Sequence, residues 1–253
     1  MNKKLNNILI SNDDGYKAVG LKVLLNIAEQ LADNVLIVSP KINQSAKSKS
    51  ITIKQNINFR EMSKNFWIVD GTPTDCMIFA LNHLFNKNKP DLILSGINAG
   101  SNIGDEVSYS GTVAAAWEGA VRGIDSIALS QYGGDDKINS YECSQAKGFD
   151  IINYLLKIKS QTPRFYNVNF PFIISSNLEN VRSSFTTLAS QKIADEILFD
   201  DDFSSFMIGR MINDHSSLIN TDLECLKKNK ISITPLSLNL SNNEFLKKMN
   251  HDI

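Results

Sequence analysis

Ile8-Leu9-Ile10-Ser11-Asn12-Asp13-Asp14-Gly15, followed by Val19 to Leu31 and then Val35-Leu36-Ile37-Val38, is the stretch that decides the fold. The first run is short and apolar, as a strand buried on both faces requires. Leu21, Leu24, Leu25 and Ala28 then recur at helical spacing, and a second apolar run follows. A strand, a helix and a second strand in this order imply a parallel sheet, whose ligands gather at the carboxyl ends of its strands. Asn12 to Gly15 stands at such an end. Taken alone, these residues read first as an Asx-rich turn, because Asn, Asp and Gly are ordinary turn formers. The adjacent carboxylates add a second reading. They repel each other and lose hydration in a cleft, and a divalent cation between them keeps both ionised.

Working outward, the β-α alternation persists through the first half. Phe66 to Val69 reads as a strand, Pro73 opens a helix running through Asp75 to Phe85, and Asp91 to Leu94 is a buried strand after Lys89-Pro90. Thr112 to Val121 is an Ala-rich helix leading to the strand Ser126 to Leu129. Lys41 to Ser50 is polar and Ser-rich, and Ile51-Thr52-Ile53 reads as a short strand. Beyond these, Tyr141 to Lys157 reads as a helix, Tyr166 to Asn169 as a strand, and Ile231 to Leu236 as a strand closed by Pro235. Phe172 to Asn213 is a mixture of polar loops and hairpin pieces. The expected fold is α/β: a parallel-sheet core over about 1–170 with a C-terminal extension over about 171–253, all in one domain.

Composition narrows the function. The 253 residues are 42% hydrophobic, with no apolar run near the roughly 20 residues of a membrane span. The basic start Met1 to Asn7 passes into a strand-like segment without a long apolar core or a cleavage site, so a secretory route is not expected. Cys76, Cys143 and Cys225 are widely spaced and lack a C-x-x-C pair, which argues against disulfide scaffolds and structural zinc. The cytoplasm is the expected compartment. Lys+Arg 26 against Asp+Glu 27 leaves a net charge of -1, with no basic stripe for a long nucleic acid. The acidic block Asp195 to Asp202 reads as a solvated, mobile loop with no catalytic role.

The strongest chemistry lies between Leu94 and Gly123: Ser95-Gly96-Ile97-Asn98-Ala99-Gly100-Ser101-Asn102-Ile103-Gly104, then Tyr109-Ser110-Gly111-Thr112. Glycines let backbone approach a ligand closely, and amides at a helix start offer unpaired donors and a positive dipole end. This suits an oxyanion such as phosphate, with Gly96, Asn98, Asn102, Ser110, Gly111 and Thr112 as the binding set. Ser110 is also a good N-cap. The loop lacks the Lys of a nucleoside-triphosphate P-loop and does not match G-x-G-x-x-G.

Ile10 to Gly15, Asn43-Gln44-Ser45, Gly71-Thr72-Pro73-Thr74-Asp75-Cys76, Ser95 to Asn98 with Gly100 and Asn102, and Tyr109 to Val113 with Glu118-Gly119 together resemble the SurE family of metal-dependent nucleotidases. Ile231 to Leu236 resembles the family's closing strand. The resemblance implies a Rossmann-like core, a homodimer or homotetramer built through extended or exchanged C-terminal segments, and hydrolysis of nucleoside monophosphates. It also implies one divalent ion per chain held by Asp13, Asp14, Ser45 and Asn98, with Asp13, Asp14 and Asn98 catalytic. Carboxylate, hydroxyl and amide oxygens are hard ligands suited to Mg2+ or Mn2+. Water would attack directly, because aligning Gly15 with the Gly of a D-x-D-G phosphatase puts Asn12 in the nucleophile's place, and an amide cannot play that part. Asp75 reads as a first-turn helix residue.

The departures from the family pattern are Lys41-Ile42 for an Asp-Arg pair, Asn229-Lys230 for Gly-Tyr before the closing strand, and Asn220 for the Gly before Thr221-Asp222. They bear on specificity more than on core chemistry. The expected function is a metal-dependent phosphomonoesterase acting on nucleoside 5′- or 3′-monophosphates. Two alternatives stay open: a broad phosphatase or exopolyphosphatase, and a non-catalytic nucleotide-sensing protein.

Overall fold

A computed structural model describes residues 4–248 apart from 87, 136, 161, 174, 191 and 214–218. Nine strands form one sheet in the order β3-β4-β2-β1-β5-β6-β7-β11-β8. In chain order these are β1 (Leu5–Ser11), β2 (Ala32–Pro40), β3 (Phe59–Ser63), β4 (Phe66–Val69), β5 (Leu92–Ala99), β6 (Ser126–Gln131), β7 (Phe165–Phe170), β8 (Ser183–Phe185) and β11 (Ile231–Pro235). The run from β4 to β7 is parallel, as the alternation of strands and helices requires. The margins differ from the expected parallel sheet, because β3 and β11 run antiparallel to their inner neighbours. Ile51 to Ile53 is not a strand. Instead, the Thr52 N–H and hydroxyl donate to the Asp75 carboxylate at 2.9 and 2.8 Å.

Helices cover both faces. The apolar stripe of α1 (Val19–Leu31) buries Leu21, Leu24, Ile27 and Ala28 against the sheet, and α4 (Glu142–Lys157) adds Ile151, Ile152 and Leu155 beside it. On the other face, α2 (Pro73–Phe79) and α3 (Gly111–Val121) pack Cys76, Met77 and Ala115 onto Leu9 and Ile93. The start of α2 is fixed by a capping box between Thr72 and Asp75 with Pro73 at its first position, and a single π-helical stretch, Ala80–Leu84, extends it. Asp75 is thereby occupied in structure.

The sheet's direction of growth reverses at β1 and β5. From β1 the chain builds outward through β2 and β4, then returns to place β5 on β1's other side and continues to β6 and β7. In open α/β sheets a crevice forms at such a reversal, outside the strands' carboxyl ends.

After β8 the chain leaves the sheet, to return at β11. β9 (Lys192–Phe199) and β10 (Phe206–Asn213) form a separate antiparallel ribbon. The acidic block read as a mobile loop is therefore the second half of β9 and its turn, where the Asp200 carboxylate accepts from the Ser204 N–H and hydroxyl and from the Ser205 hydroxyl, each at 2.8 Å. At the foot of the ribbon, buried Asp222, at the start of α5 (Asp222–Lys227), accepts N–H groups from Gly104, Ala189 and Leu223 at 2.8, 2.9 and 2.9 Å. One carboxylate thus joins the loop after β5 to the chain entering the ribbon. The last element is α6 (Asn243–Lys248). Among the described residues, no helix is long and apolar enough to cross a membrane.

Candidate active site

The register of β1 and β5 assembles the site. Ser11 pairs with Ser95, so Asn12-Asp13-Asp14 leave β1 beside Gly96-Ile97-Asn98, where β5 continues along β6. A bulge in β5 between Ser95 and Asn98 re-aims the second segment. Only glycine fits at Gly96, whose φ is +133° and where a Cβ would lie 2.2 Å from the Leu129 carbonyl oxygen. Asn12 holds the turn closed. Its amide nitrogen donates to the Gly15 carbonyl at 2.9 Å and its Oδ1 accepts from the Ser39 hydroxyl at 2.6 Å, so this side chain shapes the turn.

Asp13 is buried, and the amino end of α3 encloses it. Thr112 Oγ1 donates a short bond to Asp13 Oδ1, and a Cβ at Gly111 would come within 2.8 Å of Asp13 Cβ. Burial pushes the Asp13 pKa up, and the Thr112 hydroxyl with the Gly111 and Thr112 amides works against that shift. Asp14 Oδ2 accepts the Ala99 N–H at 3.0 Å, a bond that ties the two strand ends together. Asn98 donates from Nδ2 to the Gly100 carbonyl at 2.9 Å, which turns its oxygen the other way. The loop carrying Ser45 is drawn in where the Gln44 N–H donates to the Asp13 carbonyl at 2.7 Å, and the Ser45 N–H donates to Asn43 Oδ1 at 2.8 Å.

A cavity of about 500 Å³ opens over these groups, and Asp13, Ser45, Asn98, Asn102 and Ser110 line it. Residues expected to bind phosphate therefore occupy different places. Asn98 and Ser110 face the cavity, and Ser110 caps α3 by accepting the Val113 N–H at 3.1 Å. Asn102 also lines it but is built into the frame: its side chain donates to Ser130 Oγ at 2.7 Å, and Asn167 and Asn169 hold its carbonyl at 2.7 and 3.0 Å. Gly111 and Thr112 meet Asp13, and Gly96 meets β6.

Four titratable residues of the cavity fall outside the expected set. Glu106 and Tyr109 follow the phosphate-type loop, and Lys192 and Asp195 come from the root of β9. Burial pushes the Glu106 pKa up, while its bond from the Ile103 N–H pulls the other way. Tyr109 lay inside the Tyr109 to Val113 motif and was readable there. Nothing local marks Lys192 or Asp195, because only tertiary structure brings the ribbon to the sheet. His83 lies outside the site and packs on Phe79 at the end of α2; His215 and His251 lie outside the described residues.

An ion fits this donor set. Asp13 is a buried carboxylate with no basic partner among its stabilising contacts, and Ser45 and Asn98 line the same cavity. Among the described residues no three His, Cys, Asp or Glu side chains converge, so an ion here would use the hydroxyl and amide oxygens as well as carboxylates.

Comparison with known proteins agrees with this geometry. Residues 8–195 match the family described as Survival protein SurE. The 5'-nucleotidase SurE of Paramagnetospirillum magneticum is 39% identical, with 96% of this chain and 94% of that protein covered. The 5'-nucleotidase SurE of Methylorubrum populi is 36% identical, covering 92% and 94%. The crystal structure of the SurE protein from Aquifex aeolicus superposes with a TM-score of 0.82 at 30% identity, over 96% of this chain and 98% of that one. With the paired strand ends, the loop before α3 and the whole sheet matched together, the chain belongs to the SurE family.

Proposed function

We propose that this chain is a divalent-metal-dependent 5′-nucleotidase, hydrolysing nucleoside 5′-monophosphates to nucleoside and phosphate. The observation that carries the reading is the register Ser11 with Ser95, which sets Asp13 and Asn98 under one cavity and ties Asp14 to the Ala99 N–H beside it. The names of the relatives in the same family supply the substrate class. Asp13, Asp14, Ser45 and Asn98 would hold one Mg2+ or Mn2+ per chain. Such an ion supplies Lewis acidity, neutralising charge at the phosphoryl group and activating water.

The protein's own residues do the rest. Thr112 and the first amides of α3 fix the orientation of Asp13. Ser110 Oγ already accepts from Val113, so its hydrogen is directed away from the helix, toward a phosphoryl oxygen in the cavity. Asn98 and Ser110 therefore touch the phosphate, while Gly111 and Thr112 act through Asp13, and Gly96 and Asn102 act through the frame. Asn12 is engaged on both sides of its amide, which supports direct attack by water over a covalent route. The three buried, unpaired cysteines suit a reducing compartment and support the cytoplasm.

A screen of nucleoside 5′- and 3′-monophosphates, p-nitrophenyl phosphate and short polyphosphate tests the reading. Hydrolysis of 5′-monophosphates should disappear with a chelator and return with Mn2+ or Mg2+. Full turnover in protein shown by elemental analysis to be metal-free would sink the metal assignment, and a labelled aspartyl-phosphate peptide would sink the direct attack.

A further inference from the structure

The cavity over Asp13 has an electrostatic imbalance. Asp13, Glu106 and Asp195 line it, and Lys192 is its sole basic lining residue among the described residues. A phosphate ester dianion entering so acidic a space needs positive charge beyond the strand-end site. None of the three lysines of the 41–50 loop lines the cavity: Lys41 pairs with Asp70 at 3.1 Å, Lys49 lies 3.9 Å from the centre of the Trp117 ring in a neighbouring cavity, and Lys47 is exposed on the loop.

Lys192 is held from both ends. Its backbone N–H donates to Asp105 Oδ2 at 2.9 Å, which fixes the ribbon's first residue against the turn after the phosphate-type loop. Its ammonium donates to Asp195 Oδ2 at 2.9 Å and to the Tyr109 hydroxyl at 3.3 Å, and lies 4.8 Å from the centre of the Tyr109 ring. These bonds, the one to Asp195 first, push the Lys192 pKa up and keep the group charged. The pair with Asp195 is three residues apart on one strand and half-exposed, a kind of ion pair that is readily exchanged for a better anion.

We infer that Lys192 is a substrate-binding cation, parked on Asp195 and Tyr109, that transfers to the phosphate when an oxyanion enters the cavity. The inference rests on the phosphomonoester reading for its ligand and deepens it: the ribbon contributes the charge that receives the dianion, and Asp195 competes for it. Release of Asp195 on binding makes the acceptor switch reciprocal, so the two residues have opposite effects on affinity.

Titration calorimetry of the full chain with inorganic phosphate, with and without Mg2+, tests this. Lys192→Met should weaken phosphate binding about tenfold or more, a loss scaled from hydrogen bonds to charged groups. Lys192→Arg should keep it within about threefold, and Asp195→Asn should tighten it severalfold. The fall of affinity with added salt should be shallower in Lys192→Met, which a purely structural residue would not produce. Equal phosphate affinity and salt dependence in wild type and Lys192→Met would overturn the inference, as would weaker binding in Asp195→Asn. Phosphate binding needs no turnover. A chain that binds phosphate through Lys192 yet hydrolyses no nucleotide would refute the proposed function and leave this inference standing.

Discussion

Asp13 carries opposed demands: burial disfavours its charge, and the Thr112 hydroxyl with the amides of α3 restores part of it. Its folded pKa is raised, so in metal-free protein the native state binds more protons than the unfolded state between the two pKa values. Asp13's contribution to stability therefore falls as pH rises through that window, and ionised Asp13 destabilises the fold above it. Asp13→Asn should accordingly raise the melting temperature of chelator-treated protein at neutral pH, by about 2–4 °C for each kcal/mol relieved in a chain this size. It should also abolish the stabilisation that Mn2+ gives to wild type and reduce turnover by about two orders of magnitude or more. A melting temperature unchanged in the metal-free state would refute the buried-charge account. Thr112 acts one step away. Thr112→Val leaves Asp13 Oδ1 without its hydroxyl donor, and a Mn2+ titration should show affinity weaker by about 10–100-fold, the usual effect of deleting a partner that orients a metal ligand.

The packing of α1 on β5 sets the position of Asn98. A Cβ on Gly20 would lie 1.8 Å from the Ile97 carbonyl oxygen and 3.1 Å from the Tyr141 ring, so the helix touches the bulge backbone directly. Gly20→Ala should cost about 1–3 kcal/mol or more through overpacking, read from urea unfolding, and should lower turnover by displacing the neighbouring Asn98. An unfolding midpoint equal to that of wild type would show that the bulge yields without strain. Elements like α1 and β1 were legible because burial on a known face writes a period into the sequence. β3 was not: Phe59 to Ser63 is exposed throughout, an edge strand with no inner face to impose alternation. Ile51-Thr52-Ile53 carried the alternation of a strand, yet its purpose is to deliver Thr52 to Asp75. Likewise the Asp13, Asn98 and Ser110 positions could be read from strand-end motifs, whereas Lys192 could not, since its place depends on how Asp222 and Asp105 seat a ribbon remote in sequence.

At the scale of the molecule, the ribbon is anchored at its root and apolar toward its tip. Phe199, Phe203, Phe206 and Met207 are exposed by 57, 78, 62 and 68%, a concentration of apolar surface that a second chain would cover. Light scattering at micromolar concentration should give at least twice the 28.2 kDa of one chain, and removal of the ribbon tip should weaken association. A stable monomer over that range would refute the reading. The root of the same ribbon forms one wall of the cavity while the sheet forms the other, and β9 and β10 pair with no third strand among the described residues. A second chain covering the tip would make the ribbon a lever whose fulcrum lies at Lys192 and whose long arm that chain holds. Holding the arm would then set the aperture at the fulcrum. Turnover per chain should then fall as the protein is diluted below the range in which chains associate, dilution acting as an inhibitor that occupies no site.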